Sequence, residues 1–330
     1  MIENLSKRVK FEKFTHIALD GNPIRCYRWK NLDKSFVPKA ILQICHGSIE
    51  HACRYDKFAR LLVLNGYTVY AHDHRGHGKT AGSIDKLSYF SDDNDGWEWL
   101  IKDIYRLTKR IKSEQPDIPV FILGHSLGSL LMRDYILRFG NEIQGVLLSA
   151  TADGHRYLIP LGKCLSKLCM AVKGRRANSP LLHNVLYGAF SRKIKNRKTD
   201  YDWLNRNEVE VKKYIDDPYC GHTITPDYAF QLLKGVQLIY SSRAYRCSPN
   251  NLPMYIFSGD ADPVGGKMGR DVRNCVQKYK QGGVQDVSLK LYSGARHEPL
   301  HEINQAEVFN DILQWLNQKT NNLNCKYLSN

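Results

Sequence analysis

Apolar and polar positions recur along this chain in two rhythms. Residues 14–29 alternate around Asp20-Gly21, which predicts two strands joined as an opening β-hairpin. Short apolar runs rich in β-branched residues at 39–45, 67–72, 120–123, 143–149, 254–257 and 287–292 read as buried strands. Between them the spacing turns helical. Helices are predicted at 55–65, closed by Gly66, at 95–113, 127–139, 267–280 and 301–318, with residues from Thr320 onward expected to fray. In the second of these, Trp97, Leu100, Ile104, Leu107 and Ile111 fall on one face, the mark of a core-facing stripe. Strands alternating with helices imply right-handed crossovers and a mostly parallel central sheet flanked by helices, an α/β architecture. The chemistry of such sheets sits at the carboxyl ends of the strands, where His46, Asp73 and Ser126 fall.

The alternation lapses over 151–247. That stretch reads as a mainly helical cap inserted after the sixth strand, leaving 1–150 and 248–330 as the core. Composition adds two constraints. The nine cysteines are scattered, with no Cys-x-x-Cys pair, so they read as reduced thiols of a cytoplasmic protein and not as a disulfide frame or zinc site. Cys164 and Cys169 read as small apolar packing residues. Residues 1–13 are charged, without the apolar centre of a signal peptide, and no apolar run reaches membrane-spanning length. The expected location is therefore cytoplasmic, at most peripheral at a membrane.

The net charge of +15 points to an acidic partner surface. Much of it is local: 154–199 contains no Asp or Glu, while Lys163, Lys167, Lys173, Arg175, Arg176, Arg192, Lys193, Lys195, Arg197 and Lys198 crowd in. Leu161, Leu165, Leu168 and Val172 recur there at helical spacing, with Lys163 and Lys167 off that face. Such a helix suits a lid resting on anionic lipid, and equally an ordinary solvated face. No nucleic-acid motif accompanies the charge, so nucleic acid is not expected. The acids Glu208, Glu210, Asp216 and Asp217 return in 201–220, read as another cap helix ended by Pro218.

The sharpest chemical signal is Gly124-His125-Ser126-Leu127-Gly128, set without spacer between a strand and a helix. A Gly-x-Ser-x-Gly turn in that context holds the serine hydroxyl out over the sheet edge, and side chains at Gly124 or Gly128 would collide with the crossing elements. A serine needs a base to take its proton and an acid to orient that base. His297, directly past a late strand, is the candidate base in preference to His301. Asp260 and Asp262, past the preceding strand, compete for the acid, and spacing alone leaves both open. Backbone amides of Ser48 and Leu127 are the candidate oxyanion donors, their side chains contributing little. His72-Asp73-His74 with His77 has ligand-like spacing, but the stretch follows a strand as a loop-shaping turn, so no metal is expected.

The runs His46-Gly47-Ser48-Ile49-Glu50-His51, Arg54-Tyr55, Ala71-His72-Asp73-His74-Arg75-Gly76-His77-Gly78 and Gly124-His125-Ser126-Leu127-Gly128 resemble the monoacylglycerol lipase and lysophospholipase branch of the α/β-hydrolases. The resemblance covers about 15–318. It implies the α/β-hydrolase fold, Ser126 as nucleophile, His297 as base, and Asp262 as acid, since Gly259 sets the family's Gly-x-x-Asp count. It also implies Ser48 and Leu127 as oxyanion hole, Glu50 and Arg54 at the polar, glycerol end of the pocket, His301 as a head-group contact, and no cofactor. One departure stands out. The lipases' second histidine follows the catalytic one by three residues, whereas His301 follows His297 by four, which leaves room for a different head group. The expected substrate is a single-chain lipid, monoacylglycerol or lysophospholipid. An aminopeptidase or amidase on the same scaffold, and a non-catalytic binding protein of this fold, remain the alternatives.

Overall fold

The computed structural model describes residues 8–93, 95–154 and 156–328. An eight-stranded sheet in the order β1-β2-β4-β3-β5-β6-β7-β8 organises the chain. Its strands and helices begin with β1 (Val9–Ile17), β2 (Pro23–Asn31), β3 (Ala40–Cys45), α1 (Asp56–Leu64) and β4 (Tyr67–His72). Next come α2 (Gly96–Glu114), β5 (Val120–His125), α3 (Leu127–Phe139) and β6 (Gly145–Ser149). β1 and β2 form an antiparallel hairpin, and β2 joins β4 antiparallel; every other pairing is parallel.

The parallel strands β3, β4, β5 and β6 are buried along their whole lengths, which is why they read as unbroken apolar runs instead of alternating ones. Two apolar layers cover the sheet. One contains Trp97, Leu100, Ile104, Leu107 and Ile111, the stripe expected of α2; the other contains Phe58 and Leu62 of α1 with Phe309 and Ile312.

After β6 the chain leaves the sheet and returns as β7 (Met254–Gly259), α8 (Arg270–Gln281), β8 (Val287–Tyr292) and α9 (Gln305–Leu328). The intervening segment carries α4 (Ile159–Lys173), a helical stretch over 180–191 that is π-helical at 184–188, α5 (Glu208–Asp216), α6 (Pro226–Ile239) and α7 (Ser242–Arg246). Both ends of that segment are tied to α3. Arg133, buried on α3, donates to the Ala152 carbonyl (2.9 Å), the Ile239 carbonyl (3.2 Å) and the Tyr245 hydroxyl (2.6 Å). Gly235 of α6 lies so close to the Trp97 ring that a side chain there would collide with it.

Several boundaries differ from the sequence reading. β1 starts at Val9, because Val9 and Phe11 alternate with Arg8, Lys10 and Glu12 and extend the pairing. The last helix starts at Gln305, not His301, which ends a separate 3₁₀ turn over Pro299–His301. That helix also runs on past Thr320, whose hydroxyl donates to the Leu316 carbonyl (2.8 Å). Glu208–Asp216 carries the helix expected over 201–220, which is therefore much shorter, with the Asn207 side chain capping it by accepting from the Val209 amide (3.1 Å).

Candidate active site

Ser126 stands between β5 and α3 with φ +50°, ψ −113°, a strained conformation for a residue with a side chain. Its two glycine neighbours explain how the turn closes. A Cβ on Gly124 would run into the Gly128 carbonyl, and a Cβ on Gly128 into the Cys45 carbonyl at the end of β3. The Ser126 amide donates to the Ser149 carbonyl of β6 (2.9 Å), which fixes the apex over the sheet.

His297 and Asp262 come to this apex from the ends of β8 and β7. His297 Nε2 lies 2.9 Å from Ser126 Oγ, and Nδ1 lies 3.0 Å from Asp262 Oδ2. Asp262 is almost fully buried; it also accepts from the Ser258 hydroxyl (3.2 Å) and the Val264 amide (2.9 Å). The carboxylate acceptor at Nδ1 selects the tautomer with Nε2 free to accept the Ser126 proton. Burial alone would lower the His297 pKa, but the charge and hydrogen bond of Asp262 outweigh it and raise the group above its ordinary value of 6.5. Asp260, the competing acid, turns elsewhere: its Oδ1 accepts from the Gly294 amide (2.7 Å). The His297 loop is pinned from the inserted segment, with the His297 amide on the Trp203 carbonyl (3.4 Å) and the Glu298 amide on the Leu204 carbonyl (2.9 Å). The Trp203 ring centre sits 4.8 Å from that of His297.

The loop after β3 supplies the other wall. The Gly47 amide is occupied by Glu50 Oε1 (2.5 Å), so Ser48 carries the next amide along the loop. Leu127 is the first residue of α3, and its N–H is among those a helix leaves without an intrahelical acceptor. The Ser48 side chain has more to do than the sequence suggested. Its hydroxyl bonds to the phenols of Tyr187 (2.6 Å) and Tyr228, both from the inserted segment, 139 and 180 residues away. Above Ser126 the remaining space is about 20 Å³, room for one water, with Tyr187, Trp203, Leu204 and Tyr214 closing it.

The three residues assigned to the polar end are linked to one another but line two cavities. Glu50 lines the space above Ser126, while Arg54 and His301 line a neighbouring cavity of about 340 Å³. Arg54 Nη1 bonds Glu50 Oε2 (2.6 Å) and its guanidinium takes Glu298 in a two-point pair (2.6 and 2.8 Å) under the Tyr214 ring. Burial alone would raise the Glu298 carboxyl, yet Arg54 more than reverses this and holds it at about 2. His301 Nε2 donates to the Arg54 carbonyl (3.0 Å). Glu298 escaped the sequence reading, although it follows His297 directly; nothing in the local pattern announces a partner 244 residues away. Asp73 shapes its loop, accepting from the Ala52 and Lys79 amides and the Tyr27 hydroxyl at 2.8–2.9 Å.

Residues 37–304 match the family described as serine aminopeptidase, S33. The chain belongs to that family. It is a serine hydrolase of the α/β-hydrolase type. It is 28% identical to the monoglyceride lipase of Rattus norvegicus over 94% of this chain and 91% of the relative. It is 30% identical to the phospholipase YtpA of Bacillus subtilis, over 82% and 93% respectively. Among solved structures, a thermostable carboxyl esterase from Bacillus coagulans in complex with glycerol aligns with a TM-score of 0.85 at 25% identity, covering 94% of this chain and 99% of that one. Among the described residues no helix is long and apolar enough to cross a membrane.

Proposed function

We propose that this hydrolase releases fatty acid from single-acyl-chain lipids, monoacylglycerol foremost and lysophospholipid second, through an acyl-enzyme on Ser126. The observation that carries the reading is the unbroken line from Asp262 through His297 to Ser126, with both contacts at hydrogen-bond length. Ser126 Oγ attacks the ester carbonyl while His297 Nε2 takes its proton, and Asp262 stabilises the imidazolium that forms. The amides of Ser48 and Leu127 hold the oxyanion. His297 returns the proton to the leaving alcohol; a water then enters, loses its proton to His297 and frees the acid.

Substrate class rests on likeness to the rat monoglyceride lipase and the Bacillus phospholipase. The family's aminopeptidase label raises the peptide alternative. An amine terminus would want an uncommitted carboxylate beside Ser126, and the two nearby, Glu50 and Glu298, are both engaged by Arg54.

Because the space over Ser126 admits one water, the segment over it, the cap at 151–247, has to move for an acyl glycerol to enter. Its outer face supports contact with an anionic membrane. Leu161, Leu168 and Val172 of α4 point to solvent at 69%, 60% and 74% exposure, and the exposed Lys173, Arg176 and Arg192 lie on the same segment. α4 lies along α6, with Gly162 against Leu233 and Lys163 donating to Gln237 (2.7 Å), while Ile159, Ser166 and Cys169 are its buried residues. A panel of monoacylglycerols, lysophospholipids, short esters and aminoacyl amides tests the assignment. Monoacylglycerol turnover should lead, and faster cleavage of the amides would overturn it.

A further inference from the structure

Beside the Ser126 cavity, three side chains that the sequence scatters come together. His51 follows β3, whereas Asp217 and Cys220 lie just past α5, and the potential ligand atoms of all three sit within 4.8 Å of one another. His51 Nε2 and Asp217 Oδ2 are already 2.9 Å apart. From this geometry we propose a zinc site formed by His51, Asp217 and Cys220, with a water as fourth ligand.

The donor set is one nitrogen, one sulfur and one oxygen, which suits a borderline-soft ion such as Zn²⁺ and disfavours Mg²⁺ and Ca²⁺, whose ligands are oxygens. Tetrahedral zinc bonds of about 2.0–2.3 Å place ligand atoms roughly 3.4–3.6 Å apart, so side-chain shifts of about 1 Å complete the site. Its charges balance: Asp217 carboxylate and Cys220 thiolate neutralise the ion, and His51 coordinates uncharged. Cys220 coordinates as the thiolate, so binding would release its proton.

The surroundings are ordered for it. Asp217 Oδ1 accepts from the Tyr219 amide (2.8 Å), leaving Oδ2 toward His51, and the Cys220 amide donates to the Asp217 carbonyl (3.0 Å). The Gly221 amide and Tyr214 hydroxyl both bond the Ile49 carbonyl at 3.0 Å, fixing one loop against the other. His51 and Asp217 also line the 340 Å³ cavity, which supplies an entry path and room for the water. The ion would join the β3 loop, one residue from Glu50, to the inserted segment, and so fasten the cover of the Ser126 site to the core.

The full chain, stripped by chelator and kept reduced, is titrated with Co²⁺ as a spectroscopic substitute and, separately, with Zn²⁺ while thermal unfolding is followed. Expected are one Co²⁺ per chain with a near-ultraviolet sulfur-to-cobalt charge-transfer band, and a Tm raised by Zn²⁺ but not by Mg²⁺. Cys220→Ser should abolish the band and the Tm rise, and His51→Gln should weaken Co²⁺ binding at least tenfold. Circular dichroism checks that each variant folds; Asp217→Asn replaces either one that does not. An unchanged band in Cys220→Ser, no band in the wild type, or no Zn²⁺-dependent rise in Tm would each overturn the site.

Discussion

Asp262→Asn is the change whose consequence the geometry defines most sharply. The carboxylate accepts three hydrogen bonds, from His297 Nδ1 (3.0 Å), the Ser258 hydroxyl (3.2 Å) and the Val264 amide (2.9 Å). An amide in its place keeps the shape but turns one end into a donor. Facing His297, that donor favours the tautomer protonated on Nε2, the atom 2.9 Å from Ser126 Oγ, and the serine loses its acceptor. The cost expected is about 10⁴-fold in kcat, or roughly 5 kcal/mol of transition-state stabilisation, with KM little altered. Asp260→Asn removes a carboxylate that accepts from the Gly294 amide, and an amide oxygen can still accept there, so kcat should stay within a few-fold. The assay is monoacylglycerol turnover for both variants, with circular dichroism to check folding. Equal losses, or a greater loss at Asp260, would refute the geometry on which the acid was chosen.

Other outcomes follow from the same contacts. Because His297 is raised above 6.5 and acts as base only when neutral, kcat/KM should fall toward acid with its limb above pH 6.5; a limb well below that value would contradict the Asp262 pairing. Arg54→Met leaves Glu50 and Glu298 buried without their counter-ion, and urea unfolding should record a loss of about 3–5 kcal/mol. In the wild type, Glu298 falls from 4.5 unfolded to about 2 folded, so its contribution is present above pH 4.5 and disappears as the pH drops toward 2, measurable by acid titration of stability. Replacing Leu161, Leu168 and Val172 together by Ser should reduce binding to anionic vesicles several-fold while leaving turnover of a soluble short ester unchanged; unaltered vesicle binding would remove the membrane reading.

Legibility in the sequence followed how local each determinant is. Buried parallel strands declare themselves as apolar runs, and α2 declares its core face through Trp97 to Ile111. The turn at Ser126 was equally plain, because its two glycines are demanded by contacts within a few residues or with the adjacent strand. Asp260 and Asp262 are not separable locally: both sit in one turn, and what distinguishes them is the approach of His297 from another strand. Orientation is not legible for α4, whose leucines divide: Leu165 packs against the core while Leu161 and Leu168 face solvent, because the helix lies along α6 on the side of Gly162. Nor could the pattern disclose long-range polar partners such as Glu298 with Arg54, or the Tyr187 and Tyr228 hydroxyls on Ser48.

The account turns on Ser126 as the reacting nucleophile. Intact-mass analysis after treatment with a fluorophosphonate measures this directly. One adduct should form, map to the peptide carrying Ser126, disappear with all but trace ester turnover in a folded Ser126→Ala variant, and form more slowly in Asp262→Asn. An adduct on another residue, or wild-type turnover in Ser126→Ala, would contradict it.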